Sequence, residues 1–236
     1  VDGLDVVVVQ NTFPDKKIVE LLLILQAVKE AGAKTVTCVI PYMGYSRQEK
    51  VFQAGEARSA KAIAGVIGSM CDRIFTINVH TLAVLDFFGC EAQDINGFRE
   101  VVRYLKGFKP DMVVAPDEGS KDRCTLAANM LKVPVHVMKK VRIDGRTVET
   151  SSGPVEVKGC TAVILDDIIS TGGTIATAAN ILRNGGADRI LAACTHGLFI
   201  EDAANRLRVC DDILSSDTLE GVYTRFSVAP AIANAL

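Results

Sequence analysis

Residues 161 to 179 read TAVILDDIISTGGTIATAA, and this stretch decides the fold. The run from Thr161 to Leu165 is short, apolar and β-branched, which predicts a strand covered on both faces. After Thr174 the composition turns to Ala, Ile, Leu and Asn as far as Gly185 and Gly186, which predicts a helix with a glycine stop. A strand, a small polar loop and a helix start make an anion site. The first N–H groups of a helix have no intrahelical partner, and the helix dipole favours negative charge there. Gly172 and Gly173 let the backbone approach a bound group closely, and Ser170, Thr171 and Thr174 can add hydroxyl donors. Asp166 and Asp167 repel phosphate, so they call for a partner with hydroxyls or a metal ion. A sugar phosphate supplies both features: phosphate for the loop, ribose hydroxyls for the two carboxylates. A solvated turn with Asp as a helix cap accounts for one aspartate, but not for the pair followed by Gly-Gly.

The bulk numbers leave room for such an enzyme and exclude several other classes. A chain of 236 residues allows one large domain or two smaller ones, and 49% hydrophobic residues are ample for a core. A net charge of −2 gives no sign of a nucleic-acid or membrane surface, so neither partner is expected. The seven cysteines (Cys38, Cys71, Cys90, Cys124, Cys160, Cys194 and Cys210) are scattered singly. That argues against a zinc ribbon or a disulfide framework and fits a reducing cytoplasm. No apolar stretch is long and charge-free enough to span a bilayer, and no signal peptide is expected. The first residue is Val rather than Met, so a longer natural start is expected.

Working outward, strand and helix patterns alternate through the chain. Strands are expected at 5–9, 35–40, 73–79, 111–115, 133–138, 161–165 and 189–195. The first of these, 5–9, reads as buried. Helices are expected at 18–31, with Asp15 as its cap, and at 56–69, 81–88, 98–105, 121–131, 175–184 and 201–207. Residues 139–158 break the rhythm with a polar stretch that reads as a mobile arm. Alternation of this kind predicts an α/β protein with parallel sheets and helices on both faces. The two halves read as two similar domains, 1–94 and 95–236, with no linker rich in Pro, Gly or Ser between them.

In open α/β sheets ligands bind beyond the carboxyl ends of the strands, so the residues just past each strand are informative. The segments are Ser46-Arg47-Gln48-Glu49-Lys50, His80, Asp117-Glu118-Gly119-Ser120, Lys139-Lys140-x-Arg142, and Asp166-Asp167 with its Gly-Gly loop. Arg47, Lys50, Lys140 and Arg142 are cations suited to a polyphosphate, while His80 and Asp117 suit a divalent ion. Each has a plain structural alternative. A lone His after a strand is often solvated or in a core, a Lys-Lys-x-Arg run in a polar arm often serves solubility, and Pro-Asp-Glu-Gly can be an ordinary type I turn. What favours function is that all fall at the same edge of the expected sheets. They are expected to surround one site for a sugar phosphate and a nucleoside polyphosphate.

These residues also carry a resemblance. VILDDIISTGGT (163–174) resembles the phosphoribosyl pyrophosphate binding motif shared by type I phosphoribosyltransferases and ribose-phosphate pyrophosphokinases. PYMGYSRQEK (41–50) is similar to the PY-x-x-Y-[AS]-R-Q-[DE] segment of the pyrophosphokinases, which the transferases lack. INVHTLAVLDFFG looks like their metal-binding histidine segment, VVAPDEGS like their pyrophosphate loop, and KKVR like their K-x-R catalytic arm, all in collinear order. The wording is closest to archaeal members. The resemblance implies two tandem phosphoribosyltransferase-like domains, each a mainly parallel sheet flanked by helices, in a homo-oligomer (a dimer or larger). It implies that Arg47, Gln48 and Lys50 bind ATP, and that Asp117, Glu118, Gly119 and Ser120 form the pyrophosphate loop. Asp166, Asp167, Ser170, Thr171, Gly172, Gly173 and Thr174 would bind ribose 5-phosphate. Lys140 and Arg142 would be catalytic, and His80 with Asp117 would hold Mg2+. The implied reaction moves the diphosphoryl group of ATP to the anomeric hydroxyl of ribose 5-phosphate, giving phosphoribosyl pyrophosphate and AMP.

Two departures accompany it. The family has a strand–helix–strand segment before the position matching residue 1, including an acidic and aromatic loop that reaches a neighbouring subunit's ATP site. Ser120 stands where the pyrophosphate loop commonly has glycine. Two other readings are a phosphoribosyltransferase, against which the 46–50 segment counts, and a catalytically silent regulatory homologue. A silent homologue is expected to lose lid cations or metal ligands, and Lys140, Arg142, His80 and Asp117 are all present.

Overall fold

The computed structural model describes residues 1–142, 148–151 and 156–236, with the backbone alone described for 139–142 and 148–151. The chain divides into two compact units, Val1–Asn96 and Gly97–Asn234.

The first unit is built on β1 (Asp5–Val9), α1 (Lys16–Glu30), β2 (Thr35–Ile40), α2 (Ser59–Gly68), β3 (Arg73–Ile77) and β4 (Glu91–Ile95), with a 3-10 turn at Leu82–Phe87. The four strands are parallel in the order β1-β2-β3-β4. Alternate residues of β2, Val36, Cys38 and Ile40, pack against Leu21 and Leu25 of α1 and Ala60, Ala64 and Ile67 of α2. Leu21 and Leu25 lie four residues apart and therefore share one helix face. The structure departs from the sequence reading at several points. The strand at 5–9 is not buried: Val7 and Val9 are 47% and 56% exposed, because β1 is the edge of the sheet and only its Val6 and Val8 face packs on the core. Asp15 sits at the start of α1 without a capping bond, its backbone already helical (φ −49°, ψ −34°) rather than in the extended form of a capping residue. The second helix starts at Ser59 rather than 56, because the Glu56 carboxylate accepts from the N–H groups of Phe52 and Gln53 and holds that segment in a loop. The third strand stops at Ile77, ahead of Asn78 at a left-handed φ of 43°.

The second unit contains α3 (Phe98–Leu105), β5 (Met112–Ala115), α4 (Lys121–Leu131), β6 (Val135–Val137), β7 (Lys139–Arg142), β8 (Val148–Ser151), β9 (Thr161–Ile169), α5 (Gly173–Asn184), β10 (Arg189–Gly197), α6 (Ala203–Arg206), β11 (Asp212–Ser216), β12 (Thr224–Phe226) and α7 (Ala229–Ala233). Six strands form a parallel sheet in the order β12-β11-β10-β9-β5-β6. The period of two in a strand sends alternate side chains to opposite faces. Val114, Ile164, Ala192 and Cys194 meet Ile175, Ala178, Ala179 and Leu182 of α5 on one face. Val113, Val163, Leu165, Leu191 and Ala193 meet α3 and α4 on the other, through Phe98, Val101, Leu105, Cys124 and Ala127. A run apolar at every position is thus explained by burial on both sides. The polar stretch after β6 contains the antiparallel pair β7–β8, and residues 143–147 and 152–155 of it lie outside the described residues.

Both sheets are parallel and flanked by helices, as the alternation implied. All seven cysteines are free, and no helix of the described residues is long and apolar enough to cross a membrane. The packing of α1 gives a direct check. Leu25→Ala removes a side chain with 0% exposure and is expected to destabilise the first unit by about 2–5 kcal/mol. Leu23→Ala, at a 66% exposed position on the same helix, is expected to stay within about 0.5 kcal/mol in a parallel urea titration.

Candidate active site

In the second unit the site is created by a mismatch in strand length. The register of β9 with β5 ends at Val114–Ile164, whereas that with β10 continues to Ile169–Gly197. β9 therefore runs past Leu165, through both aspartates, to Ile169, where the sequence reading ended the strand at 165. Pairing with β10 holds the charged residues in extended form although Asp is a poor strand former. Beyond the end of β5, the place beside β9 is taken by the turn Asp117–Ser120 and the first turn of α4. There Cys124 Sγ donates to Leu165 O at 3.0 Å, and Arg123 Nη1 lies 3.1 Å from Asp167 Oδ2. The Cys124 thiol is pushed upward by burial and stays a donor.

The two carboxylates differ in their surroundings. Asp167 is buried against Arg123, while its N–H donates to Asp166 Oδ1 at 2.9 Å. Burial pushes the Asp166 carboxyl well above the usual carboxylate range, and the adjacent Asp167, with Asp117 behind it, pushes in the same direction. Asp117 is thus within electrostatic reach of Asp166. Asp117 also caps its own turn, with Oδ1 accepting from Ser120 N at 3.3 Å. Ser120 occupies an ordinary right-handed conformation, φ −92° and ψ −4°, so nothing in this turn demands glycine there. Glu118 and Gly119 are exposed at its tip.

The loop Ser170–Thr174 is shaped from behind. The carbonyl of Ile169 accepts from Leu198 N at 2.9 Å and Phe199 N at 3.2 Å, that of Ser170 from Ile200 N at 3.2 Å, and that of Thr171 from Arg206 Nη1 at 3.1 Å. Three consecutive carbonyls are held toward the segment leaving β10. The left-handed Gly172 (φ 75°) then reverses the chain into α5, whose first bond is Ala176 N to Gly172 O at 2.8 Å. A Cβ on Gly172 would also meet the Leu207 side chain at 3.0 Å. What remains for a ligand are the amide groups at the helix start and the hydroxyls of Ser170, Thr171 and Thr174. The holding segment is itself tightly made: Phe199 and Glu201 both have positive φ, and Gly197 must lack a side chain because the Phe199 ring fills that space.

In the first unit, Arg47 and Lys50 are exposed and Gln48 is half-buried in the segment between β2 and α2. Gln48 Nε2 donates to Glu56 Oε2 at 3.2 Å, and Ala60 N donates to Gln48 O at 3.4 Å, so Glu56 braces this segment. Backbone donors hold the Glu56 carboxyl below its usual range. His80 follows β3, half-buried, in a turn organised by Asp94, whose Oδ1 accepts from Thr76 Oγ1 at 2.7 Å and Val79 N at 2.9 Å. Lys140 and Arg142 lie in β7, opposite Thr150 and Val148 of β8, and their side chains are outside the described residues. Among the described residues no group of three or more His, Cys, Asp or Glu side chains is arranged as a complete metal site. Arg123, Arg206, Glu56 and Asp94 were not legible as site residues, since each acts through a partner remote in sequence or across a loop.

Known proteins resemble this chain over most of its length. Residues 1–70 match the model of the N-terminal domain of ribose phosphate pyrophosphokinase, and residues 93–228 match the phosphoribosyl transferase domain. The chain is 36% identical over 238 residues to the ribose-phosphate pyrophosphokinase of Methanopyrus kandleri, covering 98% of this chain and 82% of that protein. It is 39% identical over 235 residues to the namesake protein of Methanosarcina mazei, covering 98% of this chain and 78% of the relative. Among solved structures, phosphoribosylpyrophosphate synthetase from Mycobacterium smegmatis superposes with a TM-score of 0.84 at 30% identity, over 100% of this chain and 82% of that one. Matched by its relatives across nearly its whole length, the chain belongs to the ribose-phosphate pyrophosphokinase family.

Proposed function

We propose that this chain is a ribose-phosphate diphosphokinase that transfers the diphosphoryl group of ATP to the anomeric hydroxyl of ribose 5-phosphate. The observation that carries the reading is the arrangement at one edge of the second unit. There the 170–174 loop, with its carbonyls held away, adjoins the Asp166–Asp167 pair, and Asp117 of the neighbouring turn lies within electrostatic reach of Asp166. In this reading Ser170, Thr171, Gly172, Gly173 and Thr174 take the 5-phosphate, and Asp166 and Asp167 accept from the ribose hydroxyls. Asp117 to Ser120 cradle the phosphates to be transferred. Arg47, Gln48 and Lys50 hold ATP.

The anomeric oxygen attacks the β-phosphorus, the bond from that phosphorus to the α–β bridging oxygen breaks, and AMP leaves with that oxygen. The hydroxyl proton is released. Such a transfer depends on alignment and positive charge more than on a covalent protein group. Lys140 and Arg142 are assigned to stabilise charge on the transferred group. The donor chemistry also fits Mg2+: the Asp117 carboxylate stands near the Asp166–Asp167 pair, so hard oxygen donors collect at this strand end. Mg2+ is commonly held by one or two carboxylates together with substrate phosphates. Asp117 and His80 are the residues assigned to it. When bound, the ion would neutralise phosphate charge and orient the polyphosphate. We also assign the protein to the cytoplasm and to a homo-oligomer, on its family membership.

A coupled assay for AMP tests the activity. AMP release from ATP is expected to require both ribose 5-phosphate and Mg2+, and Lys140→Ala is expected to lower kcat by several orders of magnitude with little change in the KM for ribose 5-phosphate. AMP release independent of the sugar phosphate would exclude the proposed transfer. A second expectation concerns pH. A carboxyl raised above its unfolded value contributes stability that is fully present below the unfolded value and is lost as pH rises from there through the raised one. Asp166→Asn is therefore expected to raise the melting temperature in mildly alkaline buffer and to flatten its dependence on pH, while weakening ribose 5-phosphate binding. Calorimetric scans across pH give the answer; an unchanged pH dependence would contradict it.

A further inference from the structure

We propose that Arg123, on the first turn of α4, is a positioning residue that fixes the Asp167 carboxylate in the orientation in which it meets the ribose hydroxyls. The inference rests on the assignment of the carboxylate pair to ribose. Arg123 Nη1 lies 3.1 Å from Asp167 Oδ2, and the pair is largely withdrawn from water, with side-chain exposures of 26% and 6%. Beyond Leu165 strand β9 is paired on its β10 side, while its other side meets α4 instead of a strand.

An aspartate side chain there can turn about χ1 unless something holds it, and the rigid guanidinium fork suits that task better than a flexible ammonium. The helix that carries Arg123 is itself fixed in register. Cys124, the next residue, donates to Leu165 O, two residues before Asp167 on the same strand. Ser120, three residues before Arg123, is tied to Asp117. Arg123 therefore joins the turn assigned to the transferred phosphates to the carboxylate assigned to the sugar, so that one helix start sets the position of both.

The test is a double-mutant cycle on the full chain, read by ribose 5-phosphate-dependent AMP release. Arg123→Ala is expected to raise the KM for ribose 5-phosphate about 10- to 100-fold with a much smaller change in kcat, the scale of losing a partner that orients a ligating group. Arg123→Lys is expected to recover part of that loss. Because Arg123 acts through Asp167, the Arg123→Ala/Asp167→Asn protein is expected to bind the sugar phosphate no more weakly than Asp167→Asn alone. Costs that simply add, or a KM change confined to ATP, would overturn the proposal. Melting temperatures identify a variant that fails to fold, and in that case the cycle built on Arg123→Lys decides by the same criterion. A wild-type protein without sugar-dependent AMP release refutes the proposed function itself. An active wild type whose affinity is untouched by Asp167→Asn refutes the ribose assignment, and this inference with it.

Discussion

The second unit depends on β9 extending further than its neighbour β5. A parallel strand with partners on both sides has its backbone groups consumed by the sheet, and its side chains are buried in two layers. Once β5 stops at Ala115, β9 keeps one strand partner and opens its other flank. Two acidic residues placed there are held extended by β10 and faced by a helix start instead of a strand. The same overrun delivers Ile169 and Ser170 to the segment that binds their carbonyls, so the 170–174 loop begins already oriented.

Anion recognition of this kind needs few charged side chains. Each backbone carbonyl directed at a phosphate would repel it, so committing the carbonyls of Ile169, Ser170 and Thr171 elsewhere matters as much as presenting amides. The donors come from a stretch whose own backbone is unfavourable, with Phe199 and Glu201 in left-handed conformations. Such residues persist where the surrounding packing over-determines them, and here that packing includes the Phe199 ring seated over Gly197. The carboxylate pair runs the other way. Crowding the half-buried Asp166 against the buried Asp167 disfavours the charged form of Asp166.

Much of this was legible in the sequence, and the limits have physical causes. The apolar, β-branched run at 161–165 and the Gly-Gly loop gave away the strand–loop–helix unit, and glycines before a helix marked the candidate anion site. The end of the strand was misplaced because Asp-Asp argues against extended structure locally, while β10 imposes it from outside. Strands β4, β11 and β12 were not foreseen. The first, EAQDI, has charged and polar residues at most positions, and the last, TRF, is only three residues long. Their existence rests on a neighbouring strand being present. Arg123 and Arg206 escaped notice for a related reason: an arginine's meaning lies in the carboxylate or carbonyl it reaches, 44 and 35 residues away in these two cases (167 − 123 and 206 − 171).

The claim on which these relations converge is that the amides at the start of α5, freed by carbonyls turned outward, receive the 5-phosphate of the sugar. Backbone hydrogen exchange, followed by mass spectrometry with and without ribose 5-phosphate, addresses it most directly. Slowed exchange in the peptide spanning Thr171 to Ala176 on adding the sugar phosphate is the expected result. Unchanged exchange there, with protection appearing on other segments, would contradict it.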